Sequence, residues 1–300
     1  MTSQILVRYG ELALKSAPVR REFESTLRRN ILDQFVREGL TGRLRADHGH
    51  LYVEVDDGTR ALRVLRRVFG ITSVSLVYEV QSDRTAIRDR LLELAEPRLT
   101  EGVSFAVRAR RTGGAHPFTS QELARDLGGD VLEKYADRHL VVDLEEPSVE
   151  LFVEVRGPRT YLSFDRRRGP GGLPLGVAGR LVALVDGPRG ALGAYLMMKR
   201  GCRVGIVAVA AGEPLAREVL GRFDPGVRIS TSTADPAQWG SVMTALTEES
   251  HAEGVVLPLR VDEYPAARAQ WGERVLFSPT VGLSDAEVET RWKNAAALTE

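Results

Sequence analysis

Between Arg166 and Pro174 the chain reads Arg-Arg-Arg-Gly-Pro-Gly-Gly-Leu-Pro, and neither a helical nor a strand period survives the passage. Prolines fix φ and remove N–H donors while glycines bring no side chain to pack, so no regular element runs through such a stretch. The chain must fold in parts on either side of it, and the segment itself reads as a linker. At 300 residues there is material for two or three modest domains.

On the N-terminal side, the first eighty residues predict strand, helix, strand, strand, helix, strand. Ile5 to Tyr9 is a short strand. Pro18 stands where a helix accepts proline, in its first turn, and Val19, Phe23, Leu27, Ile31 and Phe35 then recur every four residues, with Gly39 as the stop after Glu38. Arg20, Arg21, Arg28 and Arg29 fall off that apolar face. Leu44 and Leu51 to Val55 flank a His48-Gly49-His50 turn, Thr59 to Phe69 is a second helix, and Ser73 to Val80 closes the set. This βαββαβ order is the ferredoxin-like pattern. A second small α/β unit follows, with helices over 83–99 and 120–136 and strands over 103–108, 150–155 and 160–164.

Beyond the break, Leu181 to Val185 is a continuous apolar strand, Ala191 to Met198 a helix and Arg203 to Ala210 another apolar strand, a βαβ unit of a parallel sheet. The predicted class is α/β with an α+β N-terminal half. It comprises a ferredoxin-like domain over 1–81, a small α/β domain over 82–168 and a doubly wound, Rossmann-like domain over 177–300.

Charge gives no global signal: the formal net charge is zero, with 29 Lys+Arg against 26 Asp+Glu in residues 1–180 and 12 against 15 in 181–300. A basic surface, if present, must be local. A single cysteine, Cys202, excludes an internal disulfide and a cysteine-rich zinc or iron–sulfur site built by this chain alone. At the head of an apolar strand it reads as a small buried thiol. No metal site is expected either, since His48 and His50 have no third ligand in reach of a turn. No apolar run approaches bilayer length, and the opening MTSQILVRYGELALK alternates like a strand without an apolar signal region, so the expectation is a cytoplasmic protein with no membrane contact.

Several motifs, in order, carry a family resemblance: Arg8-Tyr9-Gly10-Glu11-Leu12-Ala13-Leu14-Lys15, Phe105 to Arg111, Phe118-Thr119-Ser120, Val142 to Pro147 and Gly169 to Gly176. Together they resemble the tRNA 4-thiouridine synthetase (tRNA sulfurtransferase, ThiI-like) family over about residues 4–180. The resemblance implies that 82–168 is a THUMP RNA-binding domain, that 177–300 is a PP-loop adenylation-type domain, and that the partner is tRNA, held at its acceptor end. It also gives the cations a use. Arg108, Arg110 and Arg111 lead into a loop with Gly113, Gly114, His116 and Phe118, and guanidinium groups with an aromatic ring suit phosphates and unstacked bases. Lys15 closes the opening motif and either meets RNA or supports the turn. For Arg20 and Arg21 RNA contact and an ordinary solvated face stand equal.

The same resemblance exposes a defect. The family's loop Ser-Gly-Gly-x-Asp-Ser, placed here by Tyr195-Leu196-Met197-Met198-Lys199-Arg200-Gly201, falls on Val185-Asp186-Gly187-Pro188-Arg189-Gly190. A pyrophosphate cradle needs backbone N–H groups and hydroxyls converging at a helix N-terminus. Both hydroxyls are gone, Asp186 brings a carboxylate, Pro188 removes an N–H, and only Gly187 survives; Arg189 as a substitute phosphate ligand is the rescue reading. The expectation is a tRNA-binding protein with an inactive PP-loop domain, no catalytic residue and no cofactor. Two alternatives stay open: an active or two-subunit sulfurtransferase, needing ATP and Mg, and an interaction module for an intact homologue, as homodimer or heteromer. Residues 1–176 are expected to carry the RNA binding.

Overall fold

The computed structural model describes residues 3–10, 16–47, 50–114, 116–232 and 236–300; Lys15, His48 and Gly49 lie outside them. The chain divides into two compact units that cut across the sequence-based segments: Met1–Leu6 with Ser75–Arg167, and Val7–Val74 with Arg168–Glu300.

The N-terminal elements are β1 (Ser3–Tyr9), α1 (Ala17–Arg37), β2 (Gly42–Asp47), β3 (His50–Val55), α2 (Gly58–Leu65) and β4 (Ile71–Gln81), in strand order β2-β3-β1-β4. This is the expected βαββαβ arrangement. The four-residue repeat of α1 works as read, with Leu27, Ile31 and Phe35 buried. A second face of α1 is buried too, and it is polar. Asn30 donates from Nδ2 to the Leu175 carbonyl at 3.0 Å, Gln34 from Nε2 to the Arg222 and Phe223 carbonyls at 2.8 and 3.0 Å, and Arg37 to the Gly221 carbonyl at 2.9 Å. Phe69 stacks on Phe223 with centroids 5.2 Å apart, so residues 7–74 are fastened to the C-terminal half by both apolar and directional contacts.

The other unit adds α3 (Arg84–Ala95), β5 (Ser104–Thr112), α4 (Ser120–Lys134), β6 (Val141–Val142), β7 (Val149–Arg156) and β8 (Arg159–Ser163), in strand order β4-β8-β7-β5-β6. Ile87 and Leu91 of α3 and Leu123, Leu127 and Val131 of α4 pack on Phe105, Leu151 and Val153 of the sheet. A reciprocal capping box between Thr119 and Glu122 starts α4.

The segment after it is not a free linker. β9 (Arg167–Arg168) pairs with β4, Gly169 and Gly171 donate their N–H groups to the Thr72 and Ile71 carbonyls at 3.0 and 2.8 Å, and Leu173 and Gly176 donate to the Lys199 and Gly201 carbonyls at 3.0 and 2.7 Å. The glycines permit this close approach. A Cβ at Gly169 would overlap the Ile71 carbonyl, and one at Gly172, which also sits at φ +73°, would overlap that of Lys199. Periodicity breaks because the backbone hydrogen-bonds sideways, as a strap.

Beyond the strap come β10 (Arg180–Val185), α5 (Pro188–Lys199), β11 (Arg203–Val209) and α6 (Gly212–Pro214), which runs through a π-helical stretch over Leu215–Leu220 into α7 (Gly221–Phe223). β12 (Ile229–Ser232), α8 (Pro236–Ser250), β13 (Gly254–Val256), α9 (Tyr264–Trp271), β14 (Val275–Phe277) and α10 (Asp285–Ala296) complete the chain. All strand pairs are parallel and the order is β12-β11-β10-β13-β14, a doubly wound sheet. Side chains of β10 alternate between faces: Ala183 and Val185 meet Tyr195, Met198 and Trp292, while Val182 and Leu184 meet Met243 and Leu246. The order reverses between β10 and β13, and open sheets of this kind hold ligands outside the carboxyl ends of the strands at that reversal. Among the described residues no helix is long and apolar enough to cross a membrane.

Candidate functional site

The basic strand end lies on β5. Leaving the core at Val107, the strand carries Arg108 and Arg110 outward and Arg111 towards the following loop, and the structure gives the three different surroundings. Arg108 pairs with Glu150 at 3.1 Å and donates to the Leu144 carbonyl at 2.7 Å. Arg111 donates to the carbonyls of His116 and Phe118 at 3.2 and 2.6 Å, drawing residues 116–118 back onto the strand. The Arg110 side chain is exposed and makes no hydrogen bond or ion pair among the described residues. Phe118 is only 7% exposed; it packs with Leu123 and Leu127 under the stacked ring of His116. A ring so placed anchors the loop and shows no face to a base. Residue Lys15 lies outside the described residues, and Arg20 and Arg21 are exposed on α1.

The degenerate loop joins β10 to α5. Gly187 is the N-cap and offers no side-chain oxygen, and Pro188 occupies the first turn, where its missing N–H is one fewer donor for an anion. Arg189 points away from any such ligand. Its guanidinium donates to the Thr280 and Leu283 carbonyls at 2.7 and 2.8 Å and to Asp285 at 2.9 Å, with 11% of the side chain exposed. Asp285 also takes Arg260 at 2.8 Å, and the two guanidinium groups hold its carboxyl below the usual range. Gly190 is needed for packing, since a Cβ there would stand 2.5 Å from the Leu184 carbonyl. Gly187 faces open space. Asp186 is half-buried at the end of β10, and burial first, then the charge of Glu263, pushes its carboxyl above the ordinary value.

Cys202 is buried, its thiol donating to the Ala178 carbonyl at 3.2 Å, and burial pushes its pKa up, so the thiolate form is disfavoured. What sequence reasoning missed lies elsewhere: a cavity of about 530 Å³ at the carboxyl ends of β10 and β13, with Trp239 from α8 and Glu263, Gln270 and Trp271 from the α9 region in its wall. The sequence signal was two tryptophans and an acid in a region whose strands were too short to read.

Two domain families match the chain in order: the ThiI ferredoxin-like domain over residues 4–75 and the THUMP domain over residues 82–165. Curated relatives include the protein named "Probable tRNA sulfurtransferase" of Methanocaldococcus jannaschii, 34% identical over 224 residues that make up 72% of this chain and 58% of that protein. Its namesake in Methanothermobacter thermautotrophicus is 39% identical over 206 residues, 67% of this chain and 51% of that one. The chain thus spans about half the length of the curated relatives it matches. Among solved structures, PH1313 from Pyrococcus horikoshii superposes with a TM-score of 0.80 at 26% identity, over 97% of this chain and 99% of that one. A 4-thiouridine synthetase, crystallised as an RNA complex with bound ATP, shares the fold at TM-score 0.78 and 22% identity, over 99% of this chain and 86% of that one. With both N-terminal domains of the family in order and identity to its tRNA sulfurtransferases extending past them, the chain belongs to the ThiI-like family.

Proposed function

We propose that the protein binds tRNA through its THUMP-bearing unit and does not adenylate it. The observation that carries the second half is Arg189: the residue standing where the family loop has its Asp is engaged by Thr280, Leu283 and Asp285. The rescue reading needs that guanidinium for phosphate. Asp186 adds a half-buried carboxylate beside it, and the loop brings no hydroxyl. On this reading no cofactor is required.

RNA binding is supported by the THUMP match and by the family's name, and the RNA in the complex of the related 4-thiouridine synthetase points the same way. Arg110 is the best single phosphate contact, because neutralising a phosphate with it breaks no internal bond. Arg108 and Arg111 shape the strand end that presents it, Phe118 fixes the loop, and Arg20 and Arg21 form a second exposed pair. The acceptor end of tRNA remains the preferred target.

The test measures tRNA binding and ATP binding on one purified sample across a salt series. Binding of tRNA should weaken as salt rises, and Arg110→Ala should flatten the log–log slope by roughly 0.7–0.9, the change expected for one phosphate contact. ATP with magnesium should give no heat of binding and no tRNA-dependent pyrophosphate. Pyrophosphate release would favour the second reading, an active or two-subunit sulfurtransferase, which the names of the curated relatives support. An unchanged slope in Arg110→Ala would move the RNA site to Arg20 and Arg21.

A further inference from the structure

The cavity at the strand-order reversal has the position of a ligand site and the wrong chemistry for phosphate. Its volume of about 530 Å³ suits a molecule of nucleoside size. Among the described residues its lining contains no Lys or Arg, but it contains the carboxylates of Asp186 and Glu263. The hydrogen bonds of the nearest cations go to Asp285, which takes both Arg189 and Arg260, while the Arg260 guanidinium attracts Glu263 only through space. Glu263 accepts the Arg260 backbone N–H at 2.7 Å, which holds its carboxylate at the start of α9. The raised Asp186 carboxyl is what a half-buried carboxylate with no cation paired to it among the described residues should show. Two indoles, Trp239 and Trp271, complete the wall, each packed on the apolar core while contributing to the cavity surface.

Aromatic rings and carboxylates around one space recognise positive charge, the rings through their negative faces and the acids directly. An anion there would meet two like charges and no donor from a basic side chain. We propose that this crevice binds a flat, delocalised organic cation, a guanidinium group or a positively charged N-methylated base, between the indoles of Trp239 and Trp271 and the carboxylates of Asp186 and Glu263. The family's phosphate end of the sheet has thereby been replaced by a cation-selective one. This site does not depend on the RNA reading.

The chain holds three tryptophans, and the third, Trp292, is buried on the opposite face of the sheet, so intrinsic fluorescence reports chiefly on the crevice. The full chain is titrated with agmatine and with 1-methyladenosine as the two cation sources, and with adenosine and magnesium ATP as the neutral and anionic comparators. At least one cation should give a saturable emission change, with affinity about tenfold or more above that of adenosine, and ATP should give none. Saturation by agmatine alone identifies a guanidinium ligand, and saturation by 1-methyladenosine alone a charged base. Asp186→Asn should weaken the binding by about tenfold. Glu263→Gln, at an exposed helix start, gives the same reading if Asp186→Asn lowers the melting temperature. The proposal is overturned if neither cation saturates, if adenosine or ATP binds as well, or if a folded carboxamide variant keeps full affinity.

Discussion

Asp186 brings a titratable group to the end of β10. Its carboxyl is raised by burial, so the folded state holds the proton more tightly than the unfolded chain does, and the stability this gives is present at low pH and lost as pH rises through the folded-state value. Asp186→Asn cannot ionise. The variant should therefore melt above the wild type at about pH 8, with the gap closing as pH falls below the ordinary aspartate range near about 4; thermal melts across that range check the sign. The loop's two glycines should part company as well. Gly190→Ala forces a Cβ onto the Leu184 carbonyl and should cost roughly 1–3 kcal/mol, whereas Gly187→Ala, in open space with an extended backbone at φ 172°, should fall within about 0.5 kcal/mol in denaturant unfolding. The absence of hydroxyls from the loop was legible residue by residue, because a hydroxyl or an N–H is either in the sequence or not. The destination of Arg189 was not, since its partners lie some ninety positions away and an arginine carries no mark of which carbonyl it will meet. Phe118 was misjudged for a related reason: one ring in a loop has no periodicity to say whether it faces in or out.

Among the elements, α1 was half legible. Its apolar face follows from a four-residue repeat, but the buried Thr26, Asn30 and Gln34 stripe looks like solvent-facing polarity until the carbonyls of Leu175, Arg222 and Phe223 are in place. β10, α5 and β11 were found because consecutive apolar runs, the five residues Leu181 to Val185 among them, announce themselves. β13 and β14, three residues each, are too short to carry a period, and with them the crevice stayed hidden. The start of α10 supplies a test. Arg189 ties it to α5 through three hydrogen bonds, so Arg189→Ala should lower stability by about 1.5–3 kcal/mol and speed amide exchange over residues 280–285. Arg189→Lys should recover little of this, because a single ammonium cannot span the carbonyls and the carboxylate as the planar fork does.

At the level of the whole molecule, the compact units revise the expectation that residues 1–176 behave as an independent RNA-binding fragment. Cutting there removes the Gly221–Phe223 carbonyls from Gln34 and Arg37 and the rings of Tyr195 and Phe223 from Phe69. The fragment should bind a hydrophobic dye and melt well below the full chain; a cooperative melt at the same temperature, without dye binding, would show that residues 7–74 stand alone after all. RNA measurements are therefore best made on the intact protein.

The strap has a consequence for how such chains change over generations. Gly169 to Gly176 and Tyr195 to Gly201 look like separate signatures, yet Gly172 of the first accepts no side chain because the Lys199 carbonyl of the second presses against it, and Leu173 and Gly176 donate to the Lys199 and Gly201 carbonyls. The two segments therefore constrain each other as one piece, and a chimaera joined between them from unmatched chains should seat poorly. The loop at Val185 to Gly190 lies within that piece but outside its hydrogen bonds to the strap. Gly187 faces open space, whereas Gly190 is held by the Leu184 carbonyl and Arg189 by Thr280, Leu283 and Asp285, so the strap leaves the side chains at the turn itself open to change while both flanking signatures stay in place.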